Sequence, residues 1–328
     1  MGRSNLAWVL LHALQAGGSL LPCVPQVGKG TFMKLKKFAA GVGLAATVLL
    51  GASMPASAGV TFFFPETTFE DDNNDWHFDT NGNGKIDIGE RLVSVFELTK
   101  TANPFGAGSA NIAPEELTGI IDAVVVAKIP GFVPGTFLFL FAPNATSPYV
   151  DGASGEIART WLDATPDLDI PGQNCVSLAD CVAKGSDGSV YMSGGFTGDN
   201  DEIFAFVGTD DPAVVAAAGA GIDMTAATFA FSMIVNNTGM DFGQVACSPN
   251  SLVPVAGDCN PFNGGTGDGL ADIAGGGSIK GGAGLGNGAF GRSDFDFNVA
   301  PIPEPGSLAL VGLALAGLGA LGRRAKKA

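Results

Sequence analysis

Short runs dense in β-branched and aromatic residues, each closed off by glycine, proline, asparagine or aspartate, constrain this chain to a β fold. They are Val60–Pro65 (VTFFFP), Ala123–Ile129 (AVVVAKI), Thr136–Ala142 (TFLFLFA), Ser189–Phe196 (SVYMSGGF), Glu202–Gly208 (EIFAFVG), Ala227–Val235 (ATFAFSMIV) and Asp294–Val299 (DFDFNV). Phe229, Phe231 and Met233 alternate with small or polar residues, as do Phe295 and Phe297. That period of two puts one face of a strand in a core. Asp211–Ala218 (DPAVVAAA) predicts a helix, with Pro212 in its first turn. The spacing predicts a mainly β, antiparallel β-sandwich or jelly-roll-like body over residues 59–262. Residues 263–292 hold so many glycines that a loop or stalk is expected there, before a final strand at 293–300.

Charge narrows the partners. The chain has 17 basic and 32 acidic residues, and every acid falls between Gly59 and Gly322, which leaves that span at about −24. Such a charge opposes nucleic acid and anionic lipid, and favours solubility and cations. Cys175, Cys181, Cys247 and Cys259 are an even set, as expected of disulfides in an exported protein. Three connectivities are open. The local pairs Cys175–Cys181 and Cys247–Cys259 are expected, because each closes a short polar loop, worth roughly 2–3 kcal/mol.

Both ends read as addresses. From Met33, Lys34, Lys36 and Lys37 precede an apolar stretch, and Ala56-Ser57-Ala58 offers small residues for cleavage before Gly59. This is a signal peptide over 33–58, leading to the Sec export machinery. Residues 1–32 are then an upstream extension, with translation starting at Met33. At the other end, Pro303, Glu304 and Pro305 precede Ser307–Leu321, an uncharged run of about fifteen residues, and then Arg323, Arg324, Lys326 and Lys327. The run is slightly short of the roughly 20 residues that span a bilayer comfortably. Its expected state is a C-terminal transmembrane helix, inserted transiently, with the basic end inside. An N-terminal signal helix is its counterpart.

Residues 301–328 resemble the PEP-CTERM sorting domain, also labelled an ice-binding protein C-terminal domain: a Pro-Glu-Pro, a short Leu/Gly/Ala helix and a basic end occur in order. The resemblance implies an exosortase as partner, a membrane cysteine protease of Gram-negative bacteria that make exopolysaccharide. It also implies removal of the tail near Pro-Glu-Pro and delivery of the body to the cell surface or extracellular matrix.

One stretch carries metal chemistry. Asp79–Glu90 (DTNGNGKIDIGE) resembles EF-hand and dockerin-type calcium loops position by position. Asp79, Asn81 and Asn83 offer side-chain oxygens, Gly84 the sharp turn and Lys85 its backbone carbonyl. Asp87 binds directly or through water, and Glu90 through both oxygens. Ca²⁺ is the expected cofactor; the competing reading is a polar turn between two strands. The flanks decide little: Glu70–Phe78 makes no convincing helix, and Arg91–Leu98 suits helix or strand. Asp199, Asp201, Glu202, Asp210 and Asp211 are weaker candidates for a second cation. Asp167 and Asp169 read as turn residues.

Catalysis finds little support. His77 is the lone histidine after residue 58, and no Gly-x-Ser-x-Gly turn occurs. The expectation is a non-enzymatic structural or adhesive protein of an exopolysaccharide matrix, in a biofilm or floc. The alternatives are a calcium-dependent carbohydrate-binding module, with extracellular polysaccharide as partner, and a polysaccharide-processing enzyme.

Overall fold

The computed structural model describes residues 53–57, 59–247, 259–303, 312 and 315. In chain order the strands are β1 (Ser53–Ser57), β2 (Val60–Phe63), β3 (Thr67–Phe78), β4 (Arg91–Ala102), β5 (Ser109–Asn111), β6 (Glu116–Pro130), β7 (Thr136–Pro143) and β8 (Glu156–Asp163). Helix α1 (Leu178–Lys184) precedes β9 (Ser189–Gly195) and β10 (Ile203–Thr209), and helix α2 (Pro212–Ala217) precedes β11 (Ala226–Asn236). The rest are β12 (Asp241–Gly243), β13 (Val245–Ala246), β14 (Leu270–Ala271), β15 (Ile273–Gly281) and β16 (Gly291–Ile302). Ser177 caps α1 by accepting from Asp180 N at 3.2 Å, and Asp211 caps α2 by accepting from Ala213 N at 3.0 Å.

The expected β body is present, and its main sheet closes on itself. Antiparallel pairing runs β3–β4–β6–β7–β10–β11–β15–β16 and back to β3. Strands β6 and β11 are long enough to serve two neighbours along one edge each. β6 pairs β8 through Glu116–Ile121 and β7 through Ala123–Pro130; β11 pairs β10 in its first half and β9 in its second. The hairpin-like pair β8–β9 thus fills the gap between β6 and β11 at one end, and β7–β10 fills it at the other. Closure removes the long open edges that invite aggregation.

Phenylalanine fills the interior. Phe69 stacks on Phe297 at 4.9 Å, Phe139 lies 4.7 Å from Phe206, and Phe141 lies 4.9 Å from Phe204. Each buried ring removes about 150–250 Å² from water and adds directional packing with its neighbours. A second core lies on the outer face, where Trp76, Val93, Val95, Ile120 and Trp161 are covered by Leu168, Ile170 and the Cys175–Cys181 loop. Strand β4 therefore has both faces buried, which erases the polar alternation that marks a half-exposed strand. This resolves Arg91–Leu98 as strand.

Two regions differ from expectation. The glycine-rich stretch 263–292 is not a stalk throughout, because β15 inside it is a central stave pairing both β11 and β16. The reason is steric: a Cβ at Gly277 would sit 1.8 Å from the Asp294 carbonyl oxygen, and one at Gly275 would sit 2.5 Å from the Phe229 ring. Glycine lets the rings of the flanking strands cross over β15. The final strand is also longer than 293–300. The second is β3, where Asp71, Asn73, Asn74 and Asp75 are buried in the sheet, so that Glu70–Phe78, which makes no convincing helix in the sequence, is strand.

Candidate functional site

The last strand leads straight into the C-terminal signal. Beyond Asn298 the neighbour of β16 changes from β15 to β12, with Ala300, Pro301 and Ile302 opposite Gly243, Phe242 and Asp241. Pro301 is buried and Ile302 is exposed. Proline is tolerated here because it ends a strand, where a missing N–H breaks no long ladder. Pro303 follows; Glu304, Pro305, Arg323 and Arg324 lie outside the described residues. Of the expected membrane helix only Gly312 and Leu315 are described, and both are helical. No helix among the described residues is long and apolar enough to cross a membrane. At the other end, Ser53–Ser57 pairs with β2, so the expected cleavage site, Ala58 before Gly59, falls in the connection between them. Ala58, the signal helix and residues 1–32 lie outside the described residues.

Strands β3 and β4 present the Asp79–Glu90 loop. Its first half has the turn chemistry that the sequence suggests. Asp79 accepts from Gly82 N at 2.6 Å and Gly84 N at 2.7 Å, Asn81 accepts from Asn83 N, and Asn83 accepts from Lys85 N. These bonds hold the Asp79 carboxyl below its usual range, chiefly through Gly84 N–H. The amides of Asn81 and Asn83 both donate to Asp87 Oδ2, at 3.1 and 2.7 Å. Ile86 is buried and ties the loop across the molecule, donating from its N–H to the Asp210 carbonyl at 2.8 Å.

The second half turns its carboxylates to partners within the protein. Glu90 is fully buried, its Oε1 accepting from Thr80 N and its Oε2 from Asp87 N, with His77 Nε2 at 2.7 Å from Oε2. Lys128 from β6 places its ammonium 2.8 Å from Asp87 Oδ1 and 2.9 Å from Asp210 Oδ2. Lys85 bonds Asp211 at 2.9 Å. The Lys128 bond, with those from the two asparagines, pushes the Asp87 carboxyl down to about 2. Among the described residues no three His, Cys, Asp or Glu side chains converge as a metal site. Both carboxylates of the second half are thus engaged within the protein. The twelfth-position carboxylate turns to His77 and backbone N–H groups, and a lysine ammonium already supplies the cation that Asp87 faces. Two of the early donors are neutral asparagines, so little charge is left over to displace it.

The other acidic candidates are spoken for. Asp201 accepts from Cys259 N, Asp268 N and Gly269 N, and Glu202 from Thr197 N and Gly198 N. Asp169 accepts from Gly172 N at 2.7 Å, as a turn residue does. Both expected disulfides, Cys175–Cys181 and Cys247–Cys259, are formed.

The sequence reading missed the buried carboxyls of the strands. Burial pushes Asp75 up to about 7 and Asp71 well above the usual range. Asp122, accepting from Arg91 Nε and Nη2 at 2.6 Å each and from Asn144 Nδ2 at 3.1 Å, is another. Such residues carry no local signal, because what buries them is the neighbouring strand.

Comparison with curated proteins and with solved structures found no match. Residues 301–325 match the model of the PEP-CTERM protein-sorting motif, and that motif marks the chain as an exported protein sorted to the surface by an exosortase.

Proposed function

We propose that the body is a non-catalytic structural or adhesive component of an exopolysaccharide matrix, delivered by exosortase processing of its tail. The observation that carries this reading is the continuity of β16 with the sorting motif at Pro301. What the tail delivers is then a complete closed sheet, crosslinked by two disulfides and strongly acidic outside. A protein of that kind tolerates exposure and holds water and counterions within a polymer network. The test is to delete the gene in the producing strain and restore it with or without Glu304→Ala. Matrix retention and floc cohesion should fall on deletion and return only with the processable form. Unchanged cohesion on deletion would remove the matrix role.

A second reading, carbohydrate binding, is favoured by a groove of about 320 Å³ on the outer face of β11, β15 and β16. Gly275, Gly276 and Gly277 line it, with Thr228, Asp296 and Asn298 offering hydroxyl, carboxyl and amide groups. Its size is at the lower end for small-ligand sites. A glycan array with the wild type and with Asp296→Ala separates this reading from the first, and calcium is not required for it.

A further inference from the structure

The sorting motif leaves the body with almost no slack. The folded strand extends through Ile302, and the uncharged run begins at Ser307, so only Pro303–Gly306 separate them. Four residues reach at most about 14 Å when fully extended. Before the tail is cut, the end of the body that carries Ile302 must therefore lie within that distance of the membrane in which the sorting protease sits. No other face of a folded body can take its place.

That end carries an open groove of about 450 Å³ lined by Met233, Ile234, Asn236, Asp241, Phe242 and Ile302. Its construction is specific. The ladder between β9 and β11 skips a residue between Met233 and Val235, and a bulge of this kind re-aims the extra side chain, here Ile234. Phe242 is anchored against Phe62 at 5.4 Å and backs the groove wall. Asp241 is exposed at the rim, and Asp272, also lining the groove, braces it by accepting from Met233 N at 2.9 Å. Apolar side chains at the base with carboxylates beside them suit a segment that brings an apolar side chain and a basic one together.

We propose that this groove docks the folded body against the outer face of the exosortase, engaging an apolar-and-basic segment of the protease while Pro-Glu-Pro is presented to it. The proposal rests on the exosortase reading and adds a recognition surface outside the motif. Docking of this kind would let the enzyme act on folded bodies and leave β16 intact after the cut.

The test follows conversion of full-length precursor to the tail-less form in the producing strain, by mass and by immunoblot. Ile234→Glu combined with Asp241→Lys should slow conversion about tenfold, the loss expected when the core of a small interface is disrupted. Asp241→Lys alone, on an exposed side chain, should slow it in the same direction without disturbing packing. Inserting a flexible Gly/Ser spacer after Ile302 should shrink the difference between wild type and the double variant, because the body is then no longer held at the membrane. Wild-type conversion by both groove variants would overturn the proposal, as would an undiminished defect with the spacer present. Loss of binding to vesicles of the host's lipids, with conversion unchanged, would assign the groove to lipid and overturn it equally. Glu304→Ala keeps the two readings apart. If that variant is still cut, or the tail persists in the wild type, the exosortase reading itself fails, whatever the groove variants do.

Discussion

Asp75→Asn tests the buried polar strand directly. Asp75 lies in β3, 1% exposed, with Oδ1 accepting from Ser293 Oγ at 2.7 Å and Oδ2 without a hydrogen-bond partner. Burial is the main cause that lifts its carboxyl to about 7, against the pull of the Ser293 and Ser94 hydroxyls. In the unfolded chain an aspartate titrates near 3.9. Between those values the folded protein keeps a proton that the unfolded chain releases. A raised folded value means that the stabilisation is complete below about pH 4 and is lost as pH rises through about 7. At about 1.4 kcal/mol per tenfold change, the loss over that window approaches about 4 kcal/mol as an upper figure. Asparagine keeps the shape and an accepting oxygen but does not titrate. The wild type should therefore lose up to about 4 kcal/mol relative to Asp75→Asn between about pH 4 and pH 8, with the difference flat above that window. Urea unfolding of both proteins across the range measures it. Asp296, lifted to about 6, and Glu116, lifted to about 7, slope the same way in both proteins, so the comparison isolates Asp75. A stability difference that does not change with pH would refute the reasoning.

Further outcomes test the packing and the loop. Gly119→Ala would put a Cβ 2.1 Å from the Phe96 ring, and should cost roughly 1–3 kcal/mol in denaturant unfolding, with Phe96→Leu restoring part of it. Replacing Cys175 and Cys181 together by serine should cost roughly 2–3 kcal/mol, read from the same curves without reductant. Lys128→Met should lower the thermal midpoint, because Asp87 and Asp210 lose their shared ammonium. Millimolar calcium should leave the wild-type melting curve where a chelator puts it; a clear rise would show that Glu90 leaves His77 to bind the ion.

Some of this molecule is legible residue by residue. The half-buried strands announce themselves through alternation, as Phe229, Phe231, Phe295 and Phe297 do, and Asp211-Pro212 announces α2. The disulfide pairs follow from short spacing, and the sorting motif from its contiguous residues. These features depend on local geometry or on a contiguous run of residues.

Tertiary structure decided the rest. Asp71, Asn73, Asn74 and Asp75 form a strand only because β4 and β16 flank them, with Ser94, Ser293 and the Phe295 N–H meeting polar groups of Asp71, Asn73 and Asp75. Gly275 and Gly277 sit in a central stave because the Phe229 and Phe295 rings and the carbonyls of β16 occupy the space that side chains would fill. A loop with calcium spacing closes instead on Lys128, which lies more than forty positions along the chain from Asp87 Oδ1. In each case the partner that fixes the outcome is distant in sequence, and a local pattern holds no record of it.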